Sequence, residues 1–103
     1  MKIKKFLLER MTIEEFGEKN DLVMEIHERY VGRPVLKLDR FYARFSHLDL
    51  FDGVFIIGTF GNGNTPEEAI KDYARKLSGQ RVLMNAFGNR KEREFRVPVL
   101  EEK

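Results

Sequence analysis

The stretch GTFGNGNTPEEAIKDYARKL, residues 58–77, decides the fold, because its second half is a helix with both ends marked. Thr65 is placed to cap it, Pro66 takes the first helical position, where no amide donor is required, and Glu68 stands where a capping box needs a carboxylate. Ala69, Ile70, Tyr73, Ala74 and Leu77 form one stripe at helical spacing, leaving Lys71, Asp72, Arg75 and Lys76 toward water. Gly79 supplies the stop. Ahead of the helix, Gly61 and Gly63 read as a turn between the end of a strand and the helix start.

Upstream, MTIEEF predicts a first, short helix. Thr12 caps it, Glu15 reaches back, Met11 packs on Phe16 as a hydrophobic staple, and the helix ends around Lys19 to Asp21, weakened by Gly17. LVMEIHERY then alternates, with Leu22, Met24 and Ile26 on one side and Val23, Glu25, His27 and Arg29 on the other, as a half-buried strand does. Gly32 and Pro34 suit a long hairpin connection to RFYARFSHL, where Phe41, Ala43 and Phe45 point inward and Tyr42, Arg44 and Ser46 outward. DLFDG supplies a turn at Asp52 and Gly53, and VFIIGTF, apolar on both faces, predicts an inner strand whose second face is at least partly covered. RVLMNAF, the turn-like GNRKER and EFRVPVL read as a C-terminal β-hairpin over residues 81–100, and Pro98, having no N–H, puts its last strand at a sheet edge. Residues 3–10 fit either a helix, through Ile3, Phe6, Leu7 and Met11, or a first strand or arm flanked by lysines.

The expected architecture is one α+β domain spanning residues 1–103. It consists of an α-β-β-β-α unit over residues 12–77 and the C-terminal hairpin, with consecutive strands antiparallel. That order resembles the double-stranded-RNA-binding domain. Gly61 and Gly63 stand at that family's glycine-rich turn, Thr65 at its small hydroxyl cap, and Ala69 and Ala74 at its small helix-packing positions. The resemblance implies the fold. The family's helix start also carries three lysines that bridge the RNA major groove, and aligned on the turn this chain has Pro66, Glu67 and Ile70 there. A carboxylate and apolar groups in place of cations remove the main source of affinity, so duplex RNA is disfavoured as a partner. The phrase TPEEAI is similar to the helix start of HicB-like antitoxins, and the whole chain looks like small proteins encoded by bacteriophages and prophages.

Composition sets further bounds. The 103 residues contain no Cys, which excludes disulfides and thiolate chemistry and fits a reducing cytoplasm. The opening MKIKKFLLERM has an apolar run too short for a signal peptide, and no uncharged stretch approaches the length of about 18 residues that a membrane span needs. With 19 basic and 17 acidic residues interspersed, net charge alone does not predict a polyanionic partner.

Candidate sites are few. GTFGNGN followed by a helix start offers amides to a phosphate, but it lacks the lysine of a phosphate-binding loop and brings Glu67 and Glu68 instead; a plain turn and cap is the competing reading. His27 and His47 are the only histidines, and a cluster of His47 with Asp49 or Asp52 depends on strand register; surface histidines are the alternative. No serine sits in a nucleophile motif, so no catalytic residue, metal ligand or cofactor is expected. Arg90, Lys91, Arg93 and Arg96 at the hairpin tip, joined by Lys4 and Lys5 from the N-terminal arm, form either a solvated turn or a basic finger for nucleic acid or an acidic partner. Tyr30, Phe41, Tyr42, Phe45, Phe51, Phe55, Phe60, Phe87 and Phe95 exceed what one small face must bury; core packing is the first reading, and an apolar sheet face used in partner docking or in a homodimer is the second. Taken together, the residues predict a non-enzymatic, cytoplasmic binding module acting through protein contacts, with nucleic-acid binding by the basic tip as the alternative.

Overall fold

The computed structural model describes residues 10–29, 39–52, 55–85 and 92–101. It is an α+β fold with two helices and mostly antiparallel sheets. In chain order the elements are β1 (Arg10–Thr12), α1 (Ile13–Lys19), β2 (Met24–Glu28), β3 (Phe41–Phe45), β4 (Leu48–Asp52), β5 (Phe55–Ile57) and β6 (Gly61–Gly63). They are followed by α2 (Pro66–Leu77), β7 (Arg81–Met84), β8 (Arg93–Arg96) and β9 (Val99–Glu101).

Both helices start where the cap residues place them. At α1 the Thr12 hydroxyl accepts the Glu15 N–H at 3.2 Å while the Glu15 carboxylate accepts from Thr12, closing the capping box. A helix of 7 residues has little stability of its own. It is held by burial of Ile13, Phe16 and Gly17, and Gly17 is needed because a Cβ there would come within 2.9 Å of the Phe45 ring. At α2 the Thr65 hydroxyl accepts the Glu68 N–H at 3.1 Å. The Glu68 carboxylate, however, does not return to Thr65 as a capping box would. It reaches one residue further and accepts the Asn64 N–H at 2.8 Å, tying down the entry to the helix. The predicted stripe is buried at Ala69, Tyr73, Ala74 and Leu77, and Gly79, at φ 74°, turns the chain out of the helix.

The first departure from expectation concerns the glycines. Gly61 and Gly63 form β6 rather than a turn, pairing with Ala43 and Phe41 of β3 in the antiparallel sheet β2-β3-β6. Both are buried against α2. A Cβ on Gly61 would overlap the Ala69 carbonyl and the Tyr73 backbone, and one on Gly63 would lie within 2.5 Å of Ala69 N. Only glycine lets strand and helix backbones come this close.

The second departure follows from the first. Among the described residues five strands, not three, stand between the helices. The place beside β3 is filled by β6, so the apolar run predicted as a covered inner strand is carried outward. Its central residues become β5, an edge strand in the sheet β5-β4-β7-β8, with Phe55 at 70% and Ile57 at 43% exposure. Of DLFDG, read as a turn at Asp52 and Gly53, Asp49 to Asp52 belong to strand β4, and Gly53 lies outside the described residues. Although only Ser46 and His47 separate β3 from β4, the two strands do not pair, because the chain crosses from one sheet to the other there. His47 has φ 62°, and the corner is fixed by Ser46 N–H to Val23 O at 3.0 Å and Asn85 N–H to His47 O at 2.9 Å.

Within the predicted C-terminal hairpin β7 and β8 pair antiparallel, with Val82 opposite Phe95 and Arg81 opposite Arg96, while residues 86–91 lie outside the described part. The run EFRVPVL nevertheless divides around Pro98. Val97 N–H still bonds Gln80 O at 2.8 Å, and beyond the proline β9 pairs parallel with β1, so not every pairing is antiparallel. The end of the ambiguous opening segment is therefore strand; residues 1–9 lie outside the described part. Phe45 sits at the centre of the core, its ring 5.9 Å from Phe16 and 5.6 Å from Tyr73, while Phe16 reaches Phe95 at 6.0 Å and joins the two sheets.

Candidate functional site

Helix α2 covers one face of the β2-β3-β6 sheet through Gly61, Gly63 and Ala43. Strand alternation sends the intervening residues to the other face. There His27 of β2 stands opposite Tyr42 of β3, which stands opposite Asn62 of β6. The His27 and Tyr42 rings stack with centroids 4.8 Å apart and planes at 15°, and Phe60, just before β6, meets Tyr42 at 5.5 Å and a tilt of 60°. The Arg29 guanidinium lies 4.9 Å from the Tyr42 centroid and 5.8 Å from that of Phe60. It is fixed there by donating to the carbonyls of Asp39 and Phe41 and to the Asn62 side-chain oxygen. Arg44 occupies the adjacent rung, opposite Glu25. The Glu25 carboxyl is held below its ordinary value by the Ser46 hydroxyl, which donates to it at 2.6 Å, and by His27 at 3.3 Å. At the rim, Asp72 accepts the Asn62 N–H at 2.8 Å and pairs with Lys76, whose ammonium also donates to Phe60 O at 3.0 Å. The result is a row of rings across three strands with cations beside it.

The second exposed feature is β5. Its partner β4 lies on one side only, with Leu50 opposite Ile57, Phe51 opposite Ile56 and Asp52 opposite Phe55. Among the described residues no strand pairs with its other edge. Phe55 and Ile57 project to one face and Ile56 to the other, and all three are exposed.

Of the residues that the sequence puts forward as a basic finger, the described ones are Arg93 and Arg96. Arg90, Lys91, Lys4 and Lys5 lie outside the described residues. Arg93 and Arg96 are three apart on β8 and so project to opposite faces. Arg93 lies over Phe95 at 5.4 Å, and Arg96 donates to Gly79 O at 2.8 Å. Two of the four residues proposed as a basic finger thus point different ways. Gly61, Gly63, Thr65 and Glu68 do come together, but as a packed strand and helix cap. Glu67 is exposed at the helix start, and Glu14 and Glu101 line the same shallow cavity beside it. His47 sits at the corner between sheets. Among the described residues no group of three or more His, Asp or Glu is placed to hold a metal ion. No helix among them is long and apolar enough to cross a membrane.

The ring row is what sequence reasoning missed. Each outward residue of β2 and β3 was legible by alternation, but Phe60 read as part of the apolar strand, and the meeting of His27, Tyr42 and Phe60 depends on the register between strands. Comparison with protein-family models, curated proteins and solved structures returned no match.

Proposed function

We propose that this protein is a non-enzymatic binding module that captures a protein partner by strand addition at β5. The observation that carries the reading is the exposure of Phe55, Ile56 and Ile57 at a sheet edge that no strand among the described residues pairs with. Such an edge offers backbone donors and acceptors to an added strand, and natural sheets ordinarily blunt it with charge, proline or a cover. This one carries three large apolar side chains and no charge. Full burial of such a side chain from full exposure is worth about 1.5–3 kcal/mol, and covering the exposure that Phe55, Ile56 and Ile57 still have gains the corresponding fraction, so one added strand gains from both its ladder and its side chains. The glycine-rich helix start supports the protein reading over duplex RNA. Its glycines are buried against the helix, and Glu67 and Glu68 stand exposed where phosphate would approach.

The α-β-β-β-α unit belongs to the same proposal, with β2, β3 and β6 as its strands and the β4–β5 hairpin as an insertion that presents the edge. A bacteriophage or prophage origin, with a host system as the target, rests on the likeness noted in the sequence. A second copy of the chain is the other occupant that this edge admits.

The test is affinity capture from the native host with wild-type protein, Ile56→Lys and an Ile56→Val control, alongside sedimentation of each. A partner, or a dimer, retained by wild type and Ile56→Val and lost with Ile56→Lys is the expected result. Equal retention by Ile56→Lys removes the edge from the account, and no partner and no dimer at all removes the module.

A further inference from the structure

We propose that the open face of the β2-β3-β6 sheet is a stacking platform for single-stranded nucleic acid. Unpaired bases would lie against Phe60 and His27, and the strand's phosphates beside Arg44 and Arg29. This inference is independent of the β5 edge, which lies on the other sheet.

Tyr42 is half-buried between its neighbours, whereas Phe60 is 42% exposed and the His27 side chain 47% exposed, so the two ends of the row present aromatic surface to solvent. Every base has a flat π face, and stacking on a fixed ring discriminates little among bases. The row is also preorganised: Tyr42 is stacked on one neighbour, and Arg29 is locked by its three acceptors. Little side-chain freedom remains to be lost on binding.

The charges favour the same ligand. Arg29 and Arg44 stand beside the rings, Lys76 and Asp72 form an ion pair with each other, and the Glu25 carboxylate is engaged with Ser46 and His27. A protein interface is depleted of charge at its core, which this face is not. A duplex would hide its base faces from the rings, and an isolated nucleotide would find an open sheet rather than an enclosing pocket. A single strand uses both rings and cations.

Fluorescence anisotropy on the full chain tests this with labelled oligouridine and oligothymidine of about 12 nucleotides, within the span of known single-strand sites. A duplex RNA of equal length is the comparison, all at about 50 mM salt, where phosphate contacts are strongest. The variants are Phe60→Ala, Phe60→Trp, His27→Ala and Arg44→Ala, each first shown to keep the wild-type circular dichroism spectrum. Wild type should bind single strands more tightly than duplex. Phe60→Ala should weaken binding about five- to a hundredfold, with Phe60→Trp restoring it. Arg44→Ala should flatten the salt dependence by roughly one phosphate contact. Binding of RNA, DNA or both supports the proposal and tells which strand is read. No binding to either strand, binding of duplex as tight as single strands, or affinity unchanged in both Phe60→Ala and His27→Ala overturns it. Loss of a captured host protein in those two variants, with no strand bound, also overturns it and assigns the face to protein contact.

Discussion

The Tyr73 hydroxyl accepts the Phe45 N–H at 3.0 Å, a buried bond that fixes helix α2 to the central strand β3. The two rings also meet at 5.6 Å, so one side chain supplies both packing and a buried polar tie to this interface. Tyr73→Phe preserves the packing and leaves the Phe45 amide without its acceptor. A loss of about 1–3 kcal/mol in urea denaturation is expected. An unchanged midpoint would show that the amide finds another partner.

The same hydroxyl predicts behaviour in alkali. Burial pushes its pKa up to about 12, above the value of about 10 for an exposed tyrosine. A group whose pKa is raised by folding contributes stability that is complete below the unfolded value and lost as pH rises toward the folded one. Wild type should therefore lose stability between about pH 10 and 12 beyond what Tyr73→Phe loses there. Thermal unfolding of the two proteins across that range measures the difference.

Two glycines distinguish close approach from backbone freedom. At Gly61 a Cβ would overlap the backbone of Ala69 and Tyr73, whereas at Gly79 nothing lies within 4 Å and only the φ of +74° is unfavourable. Gly79→Ala should cost about 1–2 kcal/mol, the penalty of left-handed geometry. Gly61→Ala should cost more, at least about 3 kcal/mol, because strand and helix must separate. Chemical denaturation of both variants gives the ranking, and equal effects would mean that β6 and α2 are not in contact.

Asp72 ties the rim of the ring face to α2. Its burial raises the carboxyl pKa, but the Lys76 ammonium, the Asn62 N–H and Arg75 outweigh that and hold it below the ordinary value. A pKa depressed by folding contributes stability that is present above about pH 4 and lost as pH falls through the lower, folded value. Asp72→Asn should cost about 1–2 kcal/mol near neutral pH, the lower part of the range for a charge-assisted bond, since the site is partly exposed. The difference from wild type should shrink in acid, and denaturation at pH 7 and pH 3 checks both statements.

How much was legible in the sequence depends on the range of the contact. Thr12 with Glu15, and Thr65 with Glu68, lie within one helical turn, so their caps are readable from neighbouring letters. Ala69, Tyr73 and Leu77 are readable because a helix repeats. Gly61 and Gly63 are not, since a turn and a tightly packed strand use the same residue, and only the approach of Ala69 and Tyr73 distinguishes them. Once β6 takes the place beside β3, the fate of Phe55 to Ile57 follows, but that competition between two segments for one position leaves no local mark. The pairings of β4 with β7 and of β1 with β9 are likewise long-range. For the candidate sites, alternation shows that His27 and Tyr42 face outward, while the register that stacks them does not appear in either strand alone.

Site-specific photo-crosslinking from position 55 tests the binding-module account most directly. A benzophenone side chain replaces Phe55 in one protein and Glu18, an exposed residue of α1, in another, and both are irradiated in extract of the native host. The account predicts a discrete adduct, to a partner protein or to a second copy of the chain, from position 55 and not from position 18. An adduct from position 18 alone, or none from position 55 when wild type visibly retains a partner, would contradict it.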